Sequence, residues 1–208
     1  MNGYDRISKF YDFFTERIYR KQRIELFEKL ELKKGDKVLL VASGTGISFK
    51  PILQKIGKEG LIVGIDNSSK MLEIAEKKAK KNGWTNIELI NANVELINKE
   101  LIEREIGENI EFDFVIAELA FSVIPNWKES IRKSIDLLKQ NGKIGVLDGF
   151  RKQNDLINQI LNFLPNSDIS RNISEYLDEL TENYWTKKLG KTEILFIGIG
   201  KKTTANNV

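Results

Sequence analysis

Hydrophobic and polar positions change period several times along this chain, and each change marks an element. Between residues 4 and 30 the apolar positions Ile7, Phe10, Tyr11, Phe14 and Ile18, then Ile24, Phe27 and Leu30, recur at steps of three and four. That is the period of amphipathic helix, and the interruption after Ile18 predicts two helices with a break between them. From residue 37 to 42 the pattern becomes an apolar run that ends in Ser43-Gly44-Thr45-Gly46, a strand entering a glycine turn. A helix is predicted from Ile47 to Ile56, with Pro51 early enough to be tolerated. A second strand at 61–65 stops at Asp66, and Asn67, Ser68 and Ser69 offer an N-cap for a helix over 69–82. Met71, Leu72, Ala75 and Ala79 line one face of that helix, and Asn82-Gly83 stops it.

Further strands are predicted at 87–91, 112–119 and 143–147. A polar helical stretch within 94–110 and a helix over 128–139, ending at Asn141-Gly142, separate them. Strict alternation up to Asp148 implies an α/β fold with a doubly wound, Rossmann-like, mostly parallel sheet. Beyond it, helical patterns cover 153–163 and 172–182. Strand-like runs at 184–189 and 193–200 then flank Gly190-Lys191, the spacing of an antiparallel hairpin, and the last residues read as a frayed tail. One domain holds these parts: an N-terminal helical lid (1–34), a ligand-binding core (35–150), a helical insertion (151–182) and a C-terminal hairpin (183–202).

Composition narrows the chemistry. The 208 residues include no cysteine and no histidine, which excludes thiolate nucleophiles and disulfides and removes the usual ligands of a metal centre. A net charge of +3 from 33 basic and 30 acidic residues is too balanced for a nucleic-acid binder, and the basic run at 76–81 reads as one solvated helix face. Apolar runs such as 38–42 and 194–200 are too short to span a bilayer. The first ten residues lack the apolar stretch of a secretory signal, so the cytoplasm is the expected location. Arg6, Lys9, Arg17, Arg20, Lys21 and Arg23 are interleaved with aromatics in the N-terminal helical segment. That pattern suits a helix packed on the domain as a lid, or a peripheral membrane contact.

Ligands of a doubly wound sheet bind at the carboxyl ends of its strands. Those ends carry Ser43 to Gly46, Asp66, Asn91 to Val94, Ala117 to Ala120 and Asp148. Gly44 and Gly46 let backbone approach a ligand, the following helix turns free N–H groups toward an anionic group, and Asp66 can accept both hydrogen bonds of a ribose diol. A plain strand-to-helix turn also explains the glycines; the acid at the end of the next strand favours a nucleoside site. A dinucleotide fingerprint needs a third glycine where Phe49 stands, and the Gly-Lys-Ser/Thr ending of a P-loop is absent, which disfavours NAD and ATP.

With those residues in view, the chain resembles the class I S-adenosylmethionine-dependent methyltransferases over essentially its whole length. VLLVASGTG (38–46) is similar to the family's first motif and IVGIDNSSKMLEIA (62–75) to its second. NIELINANVE (86–95), FDFVIAELAFSVIPNW (112–127) and LLKQNGKIGVLD (137–148) resemble the segments that follow. The opening YDRISKFYDFF resembles quinone-biosynthesis C-methyltransferases and bacterial phosphatidylethanolamine N-methyltransferases. The resemblance implies a seven-stranded sheet closed by the antiparallel hairpin, S-adenosylmethionine as cofactor, and a small-molecule or lipid-headgroup acceptor methylated on N, O or C. It further implies that Ala42, Ser43, Gly44 and Gly46 lie beside the methionine end of the cofactor and Asp66 on the ribose. Asn67, Met71, Asn93 and Val94 would lie about the adenine, and Tyr11 on a lid over the site.

Two positions depart from the family. Asn93 replaces the usual Asp, and Leu40 stands where an acid normally binds the cofactor's amino group. Leu40 and Asn93 motivate an alternative, a methyltransferase-like protein that binds a nucleoside or partner without catalysis. Methyl transfer from a sulfonium needs position and desolvation more than a metal. Glu118 and Asp148, with Tyr4 and Tyr11, are the candidates for base or substrate-orienting group, against the simpler readings of Glu118 as a solvated loop acid and Asp148 as a helix cap. Glu118 also counts among the expected cofactor contacts.

Overall fold

The structure is a computed structural model. It describes residues 8–149, 171–189 and 195–203, with side chains from Tyr19 onward. The chain begins with α1 (Ser8–Leu30), then alternates β1 (Lys37–Val41), α2 (Phe49–Ile56), β2 (Leu61–Asp66), α3 (Ser69–Asn82) and β3 (Ile87–Asn91). A single 3-10 turn (Val94–Leu96) precedes α4 (Lys99–Ile106), β4 (Phe112–Glu118), α5 (Trp127–Asp136) and β5 (Leu138–Gly149). After the insertion come α6 (Ile173–Leu180), β6 (Thr181–Leu189) and β7 (Leu195–Lys202).

The strands form one seven-stranded sheet in the order β3-β2-β1-β4-β5-β7-β6. The first five are parallel, and β7 lies antiparallel between β5 and β6. The chain therefore starts in the middle, winds outward through β2 and β3, and returns to the other side of β1 with β4. The carboxyl ends of β1 and β4 meet at this reversal, the position at which a doubly wound sheet has its ligand crevice.

Side chains alternate between the faces of the sheet, and each face has its own core. Leu39, Val41, Val63, Ile65, Val115 and Ala117 pack with Ile102, Ile131, Ile135 and Leu177 from α4, α5 and α6. Val38, Leu40, Ile62, Phe114 and Ile116 pack on the other face with Leu26, Phe27 and Leu30 of α1 and Phe49, Ile52 and Ile56 of α2. Leu40, opposite Gly64 on β2 and Ile116 on β4, is a core residue of that second cluster.

Three expectations change. The N-terminal segment is one continuous helix from Ser8, not two. Its buried register is Arg23, Leu26, Phe27 and Leu30, while Ile24 is 38% exposed. Asn141-Gly142 does not stop a helix: α5 ends at Asp136, and β5 already pairs with β4 at Leu138 opposite Phe112. The register then slips before Lys143 meets Phe114, and Asn141 takes φ 67° in the irregular stretch. Burial of Leu137 and Leu138 draws the chain into the sheet at once. Finally, the helical pattern at 172–182 ends at Leu180, and Thr181 already belongs to β6. The expected helix at 153–163, the hairpin tip and the C-terminal tail lie outside the described residues. Among those described, no helix is long and apolar enough to cross a membrane.

Helix α1 runs against the direction of β5. Glu31, just past its carboxyl end, pairs with Lys143, where the regular pairing of β5 with β4 resumes, at 3.2 Å. A Cβ on Gly145 would come within 2.8 Å of Leu30 and 3.0 Å of Leu26, so this glycine seats the helix. Arg23, farther toward the amino end, reaches the carboxyl end of β4. Residues 8–18 continue the helix by eleven residues, roughly 16 Å at about 1.5 Å per residue.

Candidate cofactor and active site

The crevice is built from the loops that leave β1, β2, β3 and β4 and from the end of β5. At the end of β1, Ala42 takes φ 52°, then Gly44 φ 56° and Gly46 φ 71°. Leu119, just past the adjacent β4, takes φ 52°. Non-glycine residues at positive φ are costly and gather where a surrounding scaffold holds a site.

The two glycines have different reasons to be glycine. A Cβ on Gly44 would meet nothing within 4 Å, so this side of the turn faces open space. A Cβ on Gly46 would come within 2.2 Å of the Phe49 ring. The aromatic that stands where a dinucleotide fingerprint has its third glycine thus fills the space above Gly46, and Phe49 is fully buried there. Ser43 turns its hydroxyl toward Gly64, where it is buried and unpaired among the described residues.

Asp66 closes the turn from β2. Its Oδ2 accepts from the Gly44 N–H at 2.8 Å and its Oδ1 from the Ser68 N–H at 2.9 Å. Burial pushes its carboxyl above the usual range, while the backbone N–H groups of Ser68, Gly44 and Asn67 pull it back. A carboxylate offers about four acceptor positions, so Asp66 keeps acceptor capacity for a hydroxyl beyond these N–H groups. Asn67 and Asn93 are exposed at the rim, while Met71 and Val94 are buried beside it. Asn93 caps the 3-10 turn, accepting from the Glu95 N–H at 3.0 Å and donating from Nδ2 to Glu95 Oε2 at 3.2 Å.

Glu118, at the end of β4, is held from two sides. Arg23 Nε donates to its Oε2 at 2.5 Å, and the Ser48 hydroxyl donates to its Oε1. Ser48 precedes α2 without capping it through its side chain, because the hydroxyl is turned to Glu118. Glu118 is therefore no freely solvated acid. It ties α1 to the start of α2 across the end of β4.

Asp148 is fully buried. It accepts from the Ser122 N–H at 3.2 Å and from the Gly149 N–H at 2.7 Å. Burial raises its carboxyl above the usual range against these hydrogen bonds. Its charge, after burial itself, helps to raise the Tyr19 phenol. Asp148 thus fastens the loop after β4, which Arg171 also holds by donating from Nη1 to the Phe121 and Ile124 carbonyls at 2.7 and 2.5 Å. The side chains of Tyr4 and Tyr11 lie outside the described residues.

Ala42, Gly44 and Gly46 after β1 thus meet Asp66 at the end of β2, with Glu118 tied to the same loop through Ser48. The reading of the sequence did not include Arg23, Ser48 or Tyr19 in the site. A helical signal for two of them existed: Tyr19 and Arg23 share the face of Leu26, Phe27 and Leu30 at steps of three and four. A polar residue at a core-facing position needs a partner.

A family profile described as a methyltransferase domain matches residues 32–192. The chain belongs to this family. Among its relatives, the demethylmenaquinone methyltransferase of Listeria welshimeri is 28% identical over 146 residues, 70% of this chain and 57% of that protein. The enzyme of the same name from Lactobacillus johnsonii is 25% identical over 154 residues, 74% of this chain and 59% of that protein. The chain thus spans a little under three fifths of these relatives' length. Among solved structures, a SAM-dependent methyltransferase from Aquifex aeolicus superposes with a TM-score of 0.64 at 16% identity, covering 87% of this chain and 89% of that one. A chain from the complex between the Haloferax volcanii Trm112 methyltransferase activator and a methyltransferase gives 0.72 at 10% identity, covering 98% and 99%. These structural likenesses establish the methyltransferase fold.

The family and fold support S-adenosylmethionine as the cofactor, and the residues of this methyltransferase domain fit it. Gly44 presents an open, side-chain-free edge, Asp66 retains acceptor positions at the end of β2, and the buried Met71 and Val94 supply an apolar wall.

Proposed function

We propose that this chain is an S-adenosylmethionine-dependent methyltransferase acting on a small-molecule nucleophile, with a quinol ring carbon as the leading acceptor. The observation that carries the reading is the similarity to demethylmenaquinone methyltransferases over 146 residues, 70% of this chain, at 28% identity. When bound, the sulfonium supplies an electrophilic methyl group for in-line displacement. The chain's own residues do the positioning. Asp66 accepts from the ribose hydroxyls, the Gly44 edge admits the thioether, and α1 with the loop after β4 excludes water from the acceptor side. A lipid-headgroup acceptor is the wider reading of the same crevice.

Incubation with radiolabelled S-adenosylmethionine and short-chain demethylmenaquinone analogues, alongside amines, phenols and phospholipids, tests the proposal. Label is expected on the quinol carbon. In the same assay Asp66→Ala should weaken S-adenosylhomocysteine binding about ten- to 150-fold, the value of a hydrogen bond to a charged group. The burial of Leu40 in the apolar core favours a second reading, a methyltransferase domain that binds the nucleoside without catalysis. Nucleoside binding with no labelled product from any acceptor class would favour it over the first.

A further inference from the structure

Arg23 is an arginine with 5% of its surface exposed, on a helix face shared with Tyr19, Leu26, Phe27 and Leu30. It bonds Glu118 through Nε alone, and its two terminal nitrogens take no other partner among the described residues. A buried guanidinium that leaves most of its five donors unused is costly unless something else accepts from them. Neither nitrogen is among the sealed, unpaired side-chain atoms, so each keeps a small opening on a guanidinium that Nε anchors to Glu118 at the end of β4. Beside it Glu118 is buried to 13% side-chain exposure, with the Ser48 hydroxyl on its other oxygen. Leu40, two residues before the turn, offers no charge to the same crevice.

We infer that Arg23 and Glu118 together form the receptor for the α-amino-acid end of the cofactor. The inference rests on the proposed S-adenosylmethionine site. A zwitterion carries a carboxylate and an ammonium on one carbon, and it is matched by a cation and an anion held side by side. Arg23 offers its terminal N–H groups to the carboxylate, with the fork geometry that suits it. Glu118 accepts from the ammonium with the lone pairs that Arg23 and Ser48 leave unused. The acidic contact that Leu40 cannot make on β1 is supplied one strand over, from the end of β4. The amino-acid tail then bridges α1 to the sheet, so the lid helix is part of the cofactor site.

Calorimetric titration with two ligands tests this. S-adenosylhomocysteine carries the amino-acid end, and 5′-methylthioadenosine is the same nucleoside thioether without it. The variants are Arg23→Gln and the double variant Arg23→Gln/Glu118→Gln, which leaves no lone buried charge. Wild type is expected to bind S-adenosylhomocysteine more than about tenfold tighter than methylthioadenosine. Both variants should lose about ten- to hundredfold for S-adenosylhomocysteine and keep their methylthioadenosine affinity within about twofold. An equal loss for both ligands would make the pair a structural tie between α1 and the sheet, and an unchanged S-adenosylhomocysteine affinity would remove it from the site; either overturns the inference. Wild type binding neither ligand would overturn the cofactor reading itself, and this inference with it. Thermal unfolding and the methylthioadenosine titration together show that the variants are folded.

Discussion

Gly44 and Gly46 sit two residues apart in one turn, both at positive φ, and substituting them should separate binding from folding. Alanine at 46 would place its Cβ within 2.2 Å of the Phe49 ring. Overpacking of this kind costs about 1–3 kcal/mol, in addition to the left-handed backbone. Alanine at 44 meets no atom within 4 Å and carries only the backbone strain, about 1–2 kcal/mol. Its methyl would occupy the edge assigned to the cofactor. Urea unfolding is therefore expected to rank Gly46→Ala below Gly44→Ala, while titration with S-adenosylhomocysteine ranks them the other way. The same ranking in both measurements would contradict the assignment of the open edge. Asp148 gives a second prediction at this scale. Burial raises its carboxyl, so the folded chain holds this proton to higher pH than the unfolded chain does. Its contribution is fully present below the ordinary carboxylate range and is lost as pH rises through the raised value. Asp148→Asn removes the titration. In urea unfolding from about pH 4 to about pH 8, the variant should gain on wild type as pH rises, and a pH-independent difference would refute the buried-acid assignment.

The loop between β4 and α5 is shaped by partners far away in sequence. Arg171 donates to the carbonyls of Phe121 and Ile124, and Asp148 accepts from Ser122. Arg171→Leu is expected to cost about 1–3 kcal/mol and to speed hydrogen exchange at Val123 and Ile124, whose N–H groups bond the Ala120 carbonyl. Unchanged exchange there would mean that the loop holds itself. Such contacts explain which elements could be read from the sequence. The helix over 69–82 was legible to the residue because its apolar period, the Ser68 cap and the Gly83 stop are all local. The single α1 and the kink at Asn141-Gly142 were not, because tertiary burial of Leu137 and Leu138 overrides a local stop signal. The site divides in the same way. Gly44 and Asp66 were legible because a turn and an acid sit at fixed spacing. The Arg23–Glu118–Ser48 cluster was not, because its members are 95 and 70 residues apart and only the sheet order brings them together.

At the scale of the whole molecule, the parallel half of the sheet follows directly from strict strand–helix alternation, and the hairpin from its turn spacing. Placement of β7 between β5 and β6 cannot be read from local pattern, because an antiparallel hairpin can dock by either strand. That placement governs how the chain is completed during synthesis. β5 carries the buried run Ile144 to Gly149, and β7 pairs with it from Lys143 to Gly149. Among the described residues, β6 pairs with β7 alone. Until residues 195–202 have been made, both strands present open edges, the geometry that templates aggregation. A chain cut after Leu189 is expected to accumulate as insoluble protein, and supplying 190–208 as a separate peptide during refolding should restore part of the soluble yield. A soluble, folded 1–189 fragment would show that β5 is protected by other means. Of the described strands, the one made last is thus the one that joins β6 to β5, and the nascent chain depends on it most when it is still absent.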